Sequence, residues 1–234
     1  MRFLIAGEGL TDFIVLQNLL RGFFNDKNLS ATRLLPKDKE PVGWGNLFNY
    51  LTAEEFKQAV PFSDYTIVQI DTGTSQEWKK DITSIDSKTT DLIPFIEAIK
   101  TVLINKMGFD FYNENKDKIL FAICVHDIEC WLLPFNATLP AHQKKMVGCV
   151  NAIEKLANEK GFSINEKNYA GGKHYDILSK PMRGNGELIT KGKLNESLSF
   201  SFMNYQKSLK KIDNPHFSIP IRETLQANNL SVQA

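Results

Sequence analysis

The sequence predicts an α/β domain in which helices cover both faces of a parallel sheet. Short, nearly continuous apolar runs alternate with segments whose apolar residues recur every three or four positions. The runs have the length and composition of strands buried on both faces, and the periodic segments have the pattern of amphipathic helices. The 234-residue chain is 42% hydrophobic and 24% charged, which is typical of a globular protein rather than a disordered one.

The first half of the predicted sheet comes from two strands near the N-terminus. The run RFLIA reads as a strand, and the apolar spacing from Thr11 to Phe23 predicts a helix after it. ATRLLP reads as a second strand that ends at Pro36, and the segment around Gly45 to Lys57 as a second helix. Two β-α units therefore open the fold.

Two further strands complete the predicted sheet. YTIVQI, residues 65–70, is dense in β-branched and aromatic residues, and a long amphipathic helix is predicted from Leu92 to Leu103. ILFAICV, residues 119–125, gives the fourth strand, and the segment DIECWLL starts the next helix. The four β-α units predict a wound, Rossmann-like domain over residues 1–135.

Residues 136–234 are expected to form a helical, loop-rich and basic C-terminal extension packed on that domain. Helices are predicted at Met146–Ala157 and at Phe202–Ile212, and the Gly- and Lys-rich stretch YAGGKHYDILSKPMRGNGELITKGK between them reads as loop. From Glu166 to Lys211 there are nine Lys and Arg against four Asp and Glu. The formal net charge of the whole chain is only +1, so the protein as a whole does not attract nucleic acid. A nucleic acid would have to bind this local basic segment.

Cysteine usage and hydropathy predict a cytoplasmic protein with no membrane association. Three cysteines without a C-x-x-C pair argue for reduced thiols rather than a disulfide framework. Cys124 and Cys130 flank His126, but this spacing fits no common zinc module. The longest apolar run, ILFAICV, is far shorter than the roughly 20 residues that span a bilayer.

Three acidic residues follow predicted strands. Glu8 stands just after the first strand, Asp71 at the end of the third, and Glu129 shortly after the fourth. Because the carboxyl ends of parallel strands share one edge of the sheet, these carboxylates are expected to converge. Converging carboxylates repel one another unless a cation lies among them, and an oxygen-only ligand set suits Mg²⁺ or Mn²⁺. Glu8, Asp71 and Glu129 are therefore the predicted metal ligands.

Common nucleotide-binding motifs do not explain the Gly7-Glu8-Gly9 turn. A dinucleotide fingerprint needs a third glycine where Asp12 stands, Glu8 would repel a pyrophosphate, and no phosphate-binding G-x-x-x-x-G-K-[ST] motif occurs. The two glycines are expected instead to form a tight turn that exposes the Glu8 carboxylate.

Three motifs in order resemble a known family. Glu8-Gly9-Leu10-Thr11-Asp12, Asp71 within VQIDTG, and the segment HDIECWLL at residues 126–133 resemble the Toprim-like proteins of bacterial defence islands and mobile elements. The resemblance spans roughly residues 1–135, with a fainter echo in Lys173 and YDILSK. It implies a Mg²⁺-dependent nuclease acting on RNA or DNA, an effector of anti-phage defence.

The resemblance also implies roles and partners. Glu8, Asp71, Glu129, His126 and Lys173 would be catalytic. Partners would be nucleic acid, a controlling protein such as an ATPase sensor, and a second copy of the chain. One departure is Gly73, which stands where the family's D-x-D pattern has a second acid. Gly73 supports a competing hypothesis, a catalytically degenerate module that binds nucleic acid or a protein. A phosphatase or nucleotidyl-transferring enzyme is a third hypothesis.

Several side chains of the basic segment are candidates for contact with nucleic acid. Lys173 would neutralise a phosphate, and His174, Lys180 and Arg183 would contact the backbone. Tyr169, Tyr175 and Phe202 would stack on bases. Each candidate also has an ordinary structural role, since acids favour the first turn of a helix, aspartate favours turns, histidine and phenylalanine occur in cores, and lysine in a glycine-rich loop is usually solvated.

Overall fold

The fold is described from a computed structural model. The structure describes residues 1–37, 43–78, 92–139, 147–164 and 170–184, together with His142 and Lys145. The predicted helix through Phe202, Tyr205, Leu209 and Ile212 lies outside the described residues, as do Tyr169 and the C-terminal part of the basic segment.

Four parallel strands form the sheet, as the sequence predicted. They are β1 (Phe3–Ala6), β2 (Ala31–Leu35), β3 (Tyr65–Asp71) and β4 (Ile119–Cys124), in the order β2-β1-β3-β4. From β1 the chain turns to β2 on one side, and it later returns to place β3 on the other side. The connections therefore reverse direction between β1 and β3, and in such sheets ligands bind at the carboxyl ends of the two strands that flank the reversal.

Helices lie on both faces of the sheet, because successive strand residues point to opposite faces. Phe3, Ile5 and Ile67 pack on one face with helices α1 (Leu10–Phe23), α7 (Glu129–Asn136), α8 (Cys149–Glu159) and α9 (Ala170–Gly184). Ala6, Val68 and Ile70 pack on the other with α2 (Trp44–Thr52), α3 (Glu54–Ala59) and α5 (Ile93–Met107). The short helices α4 (Ser75–Trp78) and α6 (Phe109–Asn115) and a 3₁₀ helix (Val60–Phe62) complete the described elements.

Two helix predictions need correction. The single helix expected around Gly45 to Lys57 is two helices, because Ala53 adopts an extended backbone (φ −75°, ψ 145°) between α2 and α3. The Gly- and Lys-rich stretch expected as loop is helical from Ala170 to Gly184. Its few apolar residues Tyr175, Leu178 and Met182 recur at spacings of three and four and are buried in the core.

The described part of the C-terminal extension shares the core of the N-terminal domain. Cys149 and Ile153 of α8 lie in the same apolar cluster as the strand residues Phe3 and Ile5. A disulfide joins Cys130 in α7 to Cys149 in α8, so the expectation of reduced thiols is wrong for this pair. Tertiary packing brings together two cysteines that are 19 positions apart and share no recognisable motif. Cys124 is a buried free thiol.

No helix among the described residues is both long enough and apolar enough to cross a membrane.

Candidate metal centre

The site lies where the connections of the sheet reverse. Glu8 follows β1 and Asp71 ends β3, and these two strands are adjacent. The backbone amide of Asp71 donates to Glu8 Oε1 at 2.7 Å. The sequence prediction that these two acids come together is therefore confirmed in space.

Glu8 is held by backbone amides in a half-buried position. Burial raises the pKa of its carboxyl to about 7, and nearby Asp127 adds to the rise. Hydrogen bonds from the backbone amides of Asp71 and Trp44 act in the opposite direction and limit it. A carboxyl that titrates near neutral pH can both accept and donate a proton under physiological conditions.

Gln69 connects the two strand ends. Its side chain is buried, with Oε1 accepting from the Glu8 amide at 3.1 Å and Nε2 donating to Asp71 Oδ1 at 2.9 Å. A Cβ at Gly7 would lie 2.8 Å from Gln69 Oε1. Close approach of the Gln69 amide, and not an unusual backbone turn, therefore explains why residue 7 is a glycine.

Three carboxylates lie close together at this edge of the sheet. Each of Asp71, Asp127 and Glu129 offers an oxygen that lies within 4.8 Å of the other two. Asp127 lies in the loop after β4, and Glu129 is the first residue of α7. These three residues can hold a metal ion. The predicted set differs by one residue, since Asp127 belongs to this group in place of Glu8.

Asp127 occupies the space that a side chain at position 73 would need. A Cβ built on Gly73 would lie 2.9 Å from Asp127 Oδ1 and 3.4 Å from His126 Nδ1. The loop after the neighbouring strand β4 therefore places a carboxylate directly beside Gly73.

His126 orients Asp127. Its Nδ1 lies 2.6 Å from Asp127 Oδ2, and its backbone adopts φ 70°, a conformation that few residues other than glycine adopt. The loop after β3 holds this conformation, because Thr72 Oγ1 accepts from the His126 amide while the amides of Thr72 and Gly73 donate to the His126 carbonyl. The His126 ring therefore fixes the orientation of the Asp127 carboxylate through this contact.

Asp12 is a fourth acid that borders the group. It lies in the first turn of α1 and is only 5% exposed. Burial raises the pKa of its carboxyl well above the ordinary value, and repulsion from Glu129 and Glu8 raises it further. A Cβ at Gly9 would lie 3.2 Å from Asp12 Oδ2, so close packing also explains this glycine. The chain bends at Glu8 and Gly9, as the predicted tight turn requires, but the Glu8 residue is half-buried and not exposed.

The electrostatics of the site favour a cation. Burial and mutual repulsion raise the pKa of Asp71 and burial raises that of Glu129. Among the residues that the structure describes, no lysine or arginine forms an ion pair with Glu8, Asp12, Asp71, Asp127 or Glu129. Such a group must bind protons or a cation to lower its own repulsion.

No family model, curated protein or solved structure matches the chain. The geometry of this site therefore carries the functional argument.

Glu129 also receives a hydrogen bond from the C-terminal extension. Tyr175 in α9 is 7% exposed, and its hydroxyl donates to Glu129 Oε1. Burial and the adjacent carboxylate raise the pKa of the Tyr175 hydroxyl, so it remains protonated. The predicted base-stacking role of Tyr175 is wrong, because its ring lies in the core and its hydroxyl already has a partner.

The predicted basic residues fall into two groups. Lys173 and Lys180 are exposed on α9. Arg183 instead donates to Asn18 Oδ1 at 2.5 Å and pairs with Asp176, and His174 Nδ1 donates to the Ser163 carbonyl at 2.7 Å. These two side chains therefore stabilise helix packing. The expected glycine-rich loop around Lys173 is a helix.

Sequence reasoning missed Asp127 and Asp12 as members of the site. Asp127 lies in the segment HDIE, directly after His126 and two residues before Glu129. The sequence pattern marks Asp12 as the residue that stands where a dinucleotide fingerprint has a glycine. The signal that could have found both is their position. Asp127 lies two residues before Glu129 in the loop after β4, and Asp12 lies four residues after Glu8 in the first turn of α1.

Proposed function

We propose that this chain is a Toprim-like, metal-dependent nuclease whose centre is the group Asp71, Asp127 and Glu129. The observation that carries the proposal is the convergence of these three carboxylates within 4.8 Å, beside a Glu8 whose pKa is about 7. The resemblance to the Toprim-like proteins supports the proposal, because its three motifs contain acids of the site and each follows or ends a strand of the sheet.

The donor set fits the metal that the resemblance implies. All the candidate ligands are carboxylate oxygens, which suit Mg²⁺ or Mn²⁺ and not zinc, whose sites are rich in sulfur and nitrogen. A bound divalent cation supplies charge stabilisation for a phosphodiester and lowers the pKa of water. Asp71, Asp127 and Glu129 would hold it, and Gly73 leaves room for the Asp127 carboxylate.

Glu8 would carry the proton transfer. Its carboxyl accepts hydrogen bonds from the backbone amides of Asp71 and Trp44, which hold it beside the centre, where it would accept a proton from the attacking water or return one to the leaving oxygen. His126 keeps Asp127 in place through the contact at Nδ1. Lys173 and Lys180 are exposed on α9, the helix that also carries Tyr175. These two lysines would contact phosphates.

A nuclease assay on the full chain tests this function. The substrates are plasmid, single-stranded DNA and total tRNA with Mg²⁺ or Mn²⁺, and an EDTA control removes the metal. We expect cleavage that Asp127→Asn and Glu8→Gln each reduce by at least 100-fold. Glu114→Gln, an exposed acid on α6, is the matched control and should retain full activity. Full cleavage by Asp127→Asn would contradict the proposed centre.

The competing binding module makes a different prediction. Such a protein would bind nucleic acid or a protein without a specific Mg²⁺ or Mn²⁺ site. Calorimetric titration with Mn²⁺ separates the two hypotheses, since the nuclease requires saturable metal binding that depends on Asp127. The presence of Asp127 beside Gly73 favours the nuclease, because it removes the main support for a degenerate site.

A role in anti-phage defence, with a controlling partner protein, belongs to the same proposal.

A further inference from the structure

We infer that Tyr175 is a positioning residue for Glu129, and that helix α9 is therefore a component of the metal centre. The inference rests on the proposed function, because it concerns a ligand of the proposed metal. It assigns a role in the centre to Tyr175, the first residue of the YDILSK segment, whereas the three motifs that carry the resemblance to the Toprim-like proteins lie within residues 1–135.

The contact between Tyr175 and Glu129 is buried on both sides. The exposed fractions are 7% for Tyr175 and 8% for Glu129, so water does not compete for this hydrogen bond. A phenol hydroxyl has one proton to donate, and here it is directed to Glu129 Oε1. The hydrogen bond to Oε1 restrains the orientation of the Glu129 carboxylate, which lies in the group with Asp71 and Asp127.

Helix α9 is fixed to α1 by a buried polar network. Asn18 of α1 is 1% exposed, and its Nδ2 donates to Ser179 Oγ at 2.6 Å and to Asp176 Oδ1 at 3.1 Å. Arg183 Nε donates to Asn18 Oδ1 at 2.5 Å. Ser179 Oγ in turn donates to the Tyr175 carbonyl at 2.6 Å, one turn away. The network therefore reaches the backbone of Tyr175 itself.

A second attachment joins α9 to the helix that carries Glu129. Asn136 Nδ2 at the end of α7 donates to the Leu178 carbonyl at 2.8 Å. Tyr175 is thus presented by a helix that is tied both to α1, which bears Asp12, and to α7, which bears Glu129. Partners that orient a metal ligand in this way typically contribute 10- to 100-fold to metal affinity.

The decisive experiment compares Tyr175→Phe with wild type by calorimetric titration of the full chain with Mn²⁺ alone. We expect the dissociation constant to rise about 10- to 100-fold with unchanged stoichiometry. Tyr112→Phe is the matched control, because Tyr112 lies on α6, packs against Phe121 and contacts no site acid among the described residues. Circular dichroism confirms that each variant is folded.

A measurement on wild type makes the test independent of the variant's folding. Mn²⁺ binding should perturb the tyrosine band of the ultraviolet difference spectrum, and Tyr112→Phe should retain that change. Metal binding with no tyrosine signal, or an unchanged Mn²⁺ affinity in Tyr175→Phe, would overturn the role of Tyr175 and leave the proposed function intact. Absence of Mn²⁺ binding by wild type would overturn both.

Discussion

At the scale of single residues, two glycines shape the site as much as its acidic side chains do. Gly7 leaves space for the Gln69 amide and Gly73 leaves space for the Asp127 carboxylate. Neither glycine has a backbone conformation that requires glycine, so contacts at the missing Cβ atoms explain both positions.

Replacing Gly73 should damage the site and spare the fold. In Gly73→Ala the new Cβ lies 2.9 Å from Asp127 Oδ1, so the Asp127 carboxylate must move away. We expect Mn²⁺ affinity to fall by about tenfold or more, while the free energy of unfolding changes by less than about 1 kcal/mol, because the end of one side chain absorbs the shift. Calorimetry and urea denaturation measure the two effects. Gly45→Ala is the control, since no atom lies within 4 Å of its Cβ.

If Gly73→Ala binds Mn²⁺ as wild type does, Asp127 is not a ligand.

The raised pKa of Glu8 predicts how stability depends on pH in the metal-free protein. The native carboxyl titrates at about 7 and the unfolded one near 4.5, so the native state binds more protons between these values. The free energy of unfolding therefore falls as pH rises from about 4.5 to about 7, with about 3 kcal/mol from Glu8. Glu8→Gln should be more stable than wild type at pH 8 and equal to it near pH 4.5.

Urea denaturation across this pH range checks the prediction, with EDTA present and Glu114→Gln as control. If the free energy of unfolding depends on pH in the same way in wild type and in Glu8→Gln, the pKa of Glu8 is not raised in the native state. Because Asp12 and Asp71 have pKa shifts of the same sign, the Glu8→Gln curve should retain some slope.

At the scale of elements, helices α1 and α9 form one unit. Their contact combines apolar packing of Leu178 and Met182 with the polar network around Asn18. A Cβ at Gly172 would lie 3.2 Å from Ile14 Cδ1, which shows how closely the start of α9 approaches α1. The sequence signal for this helix is weak, because its mean hydropathy is low and two glycines stand in its first turn.

Removing Asn18 should weaken this unit measurably. Asn18→Ala leaves the Arg183 guanidinium and Ser179 hydroxyl without their buried partner. We expect the free energy of unfolding to fall by about 2 kcal/mol. Urea denaturation measures the loss, and Asn49→Ala, at an exposed position of α2, should cost less than about 0.5 kcal/mol. Equal stability of the two variants would contradict a structural role for the network.

At the scale of the whole molecule, the covalent link between α7 and α8 joins the domain to its extension. Cys130 directly follows Glu129, so the disulfide restrains the helix that carries a proposed ligand. Cys124 remains a buried free thiol, and burial raises its pKa. The chain therefore contains two chemically different kinds of cysteine.

Alkylation with mass spectrometry checks this pairing. The denatured, unreduced chain should take up one alkyl group at Cys124, and the reduced chain three. Cys149→Ala should lower the free energy of unfolding by about 3 kcal/mol, the value expected for a closed loop of this size. Three alkylated cysteines without reductant would show that the disulfide does not form.

The strands, most helices and the convergence of Glu8, Asp71 and Glu129 at one edge could be predicted from the sequence, because hydrophobic periodicity and parallel topology determine them. The disulfide, the helix from Ala170 to Gly184 and the Tyr175 contact could not. Each of these depends on tertiary packing between segments that are distant in sequence, and local patterns carry no information about such pairs. Asp127 could also have been predicted, since it adjoins His126 and lies two residues before Glu129.

The site acids and Tyr175 are spread along the chain from residue 8 to residue 175, and this has a kinetic consequence. Parallel strands pair only after long connections have closed, so such contacts form late and slowly in folding. On the ribosome, the Tyr175 hydrogen bond to Glu129 cannot form until α9 has been synthesised and has docked on α1. A chain interrupted earlier in synthesis would lack that contact, so translation itself would delay assembly of the complete centre.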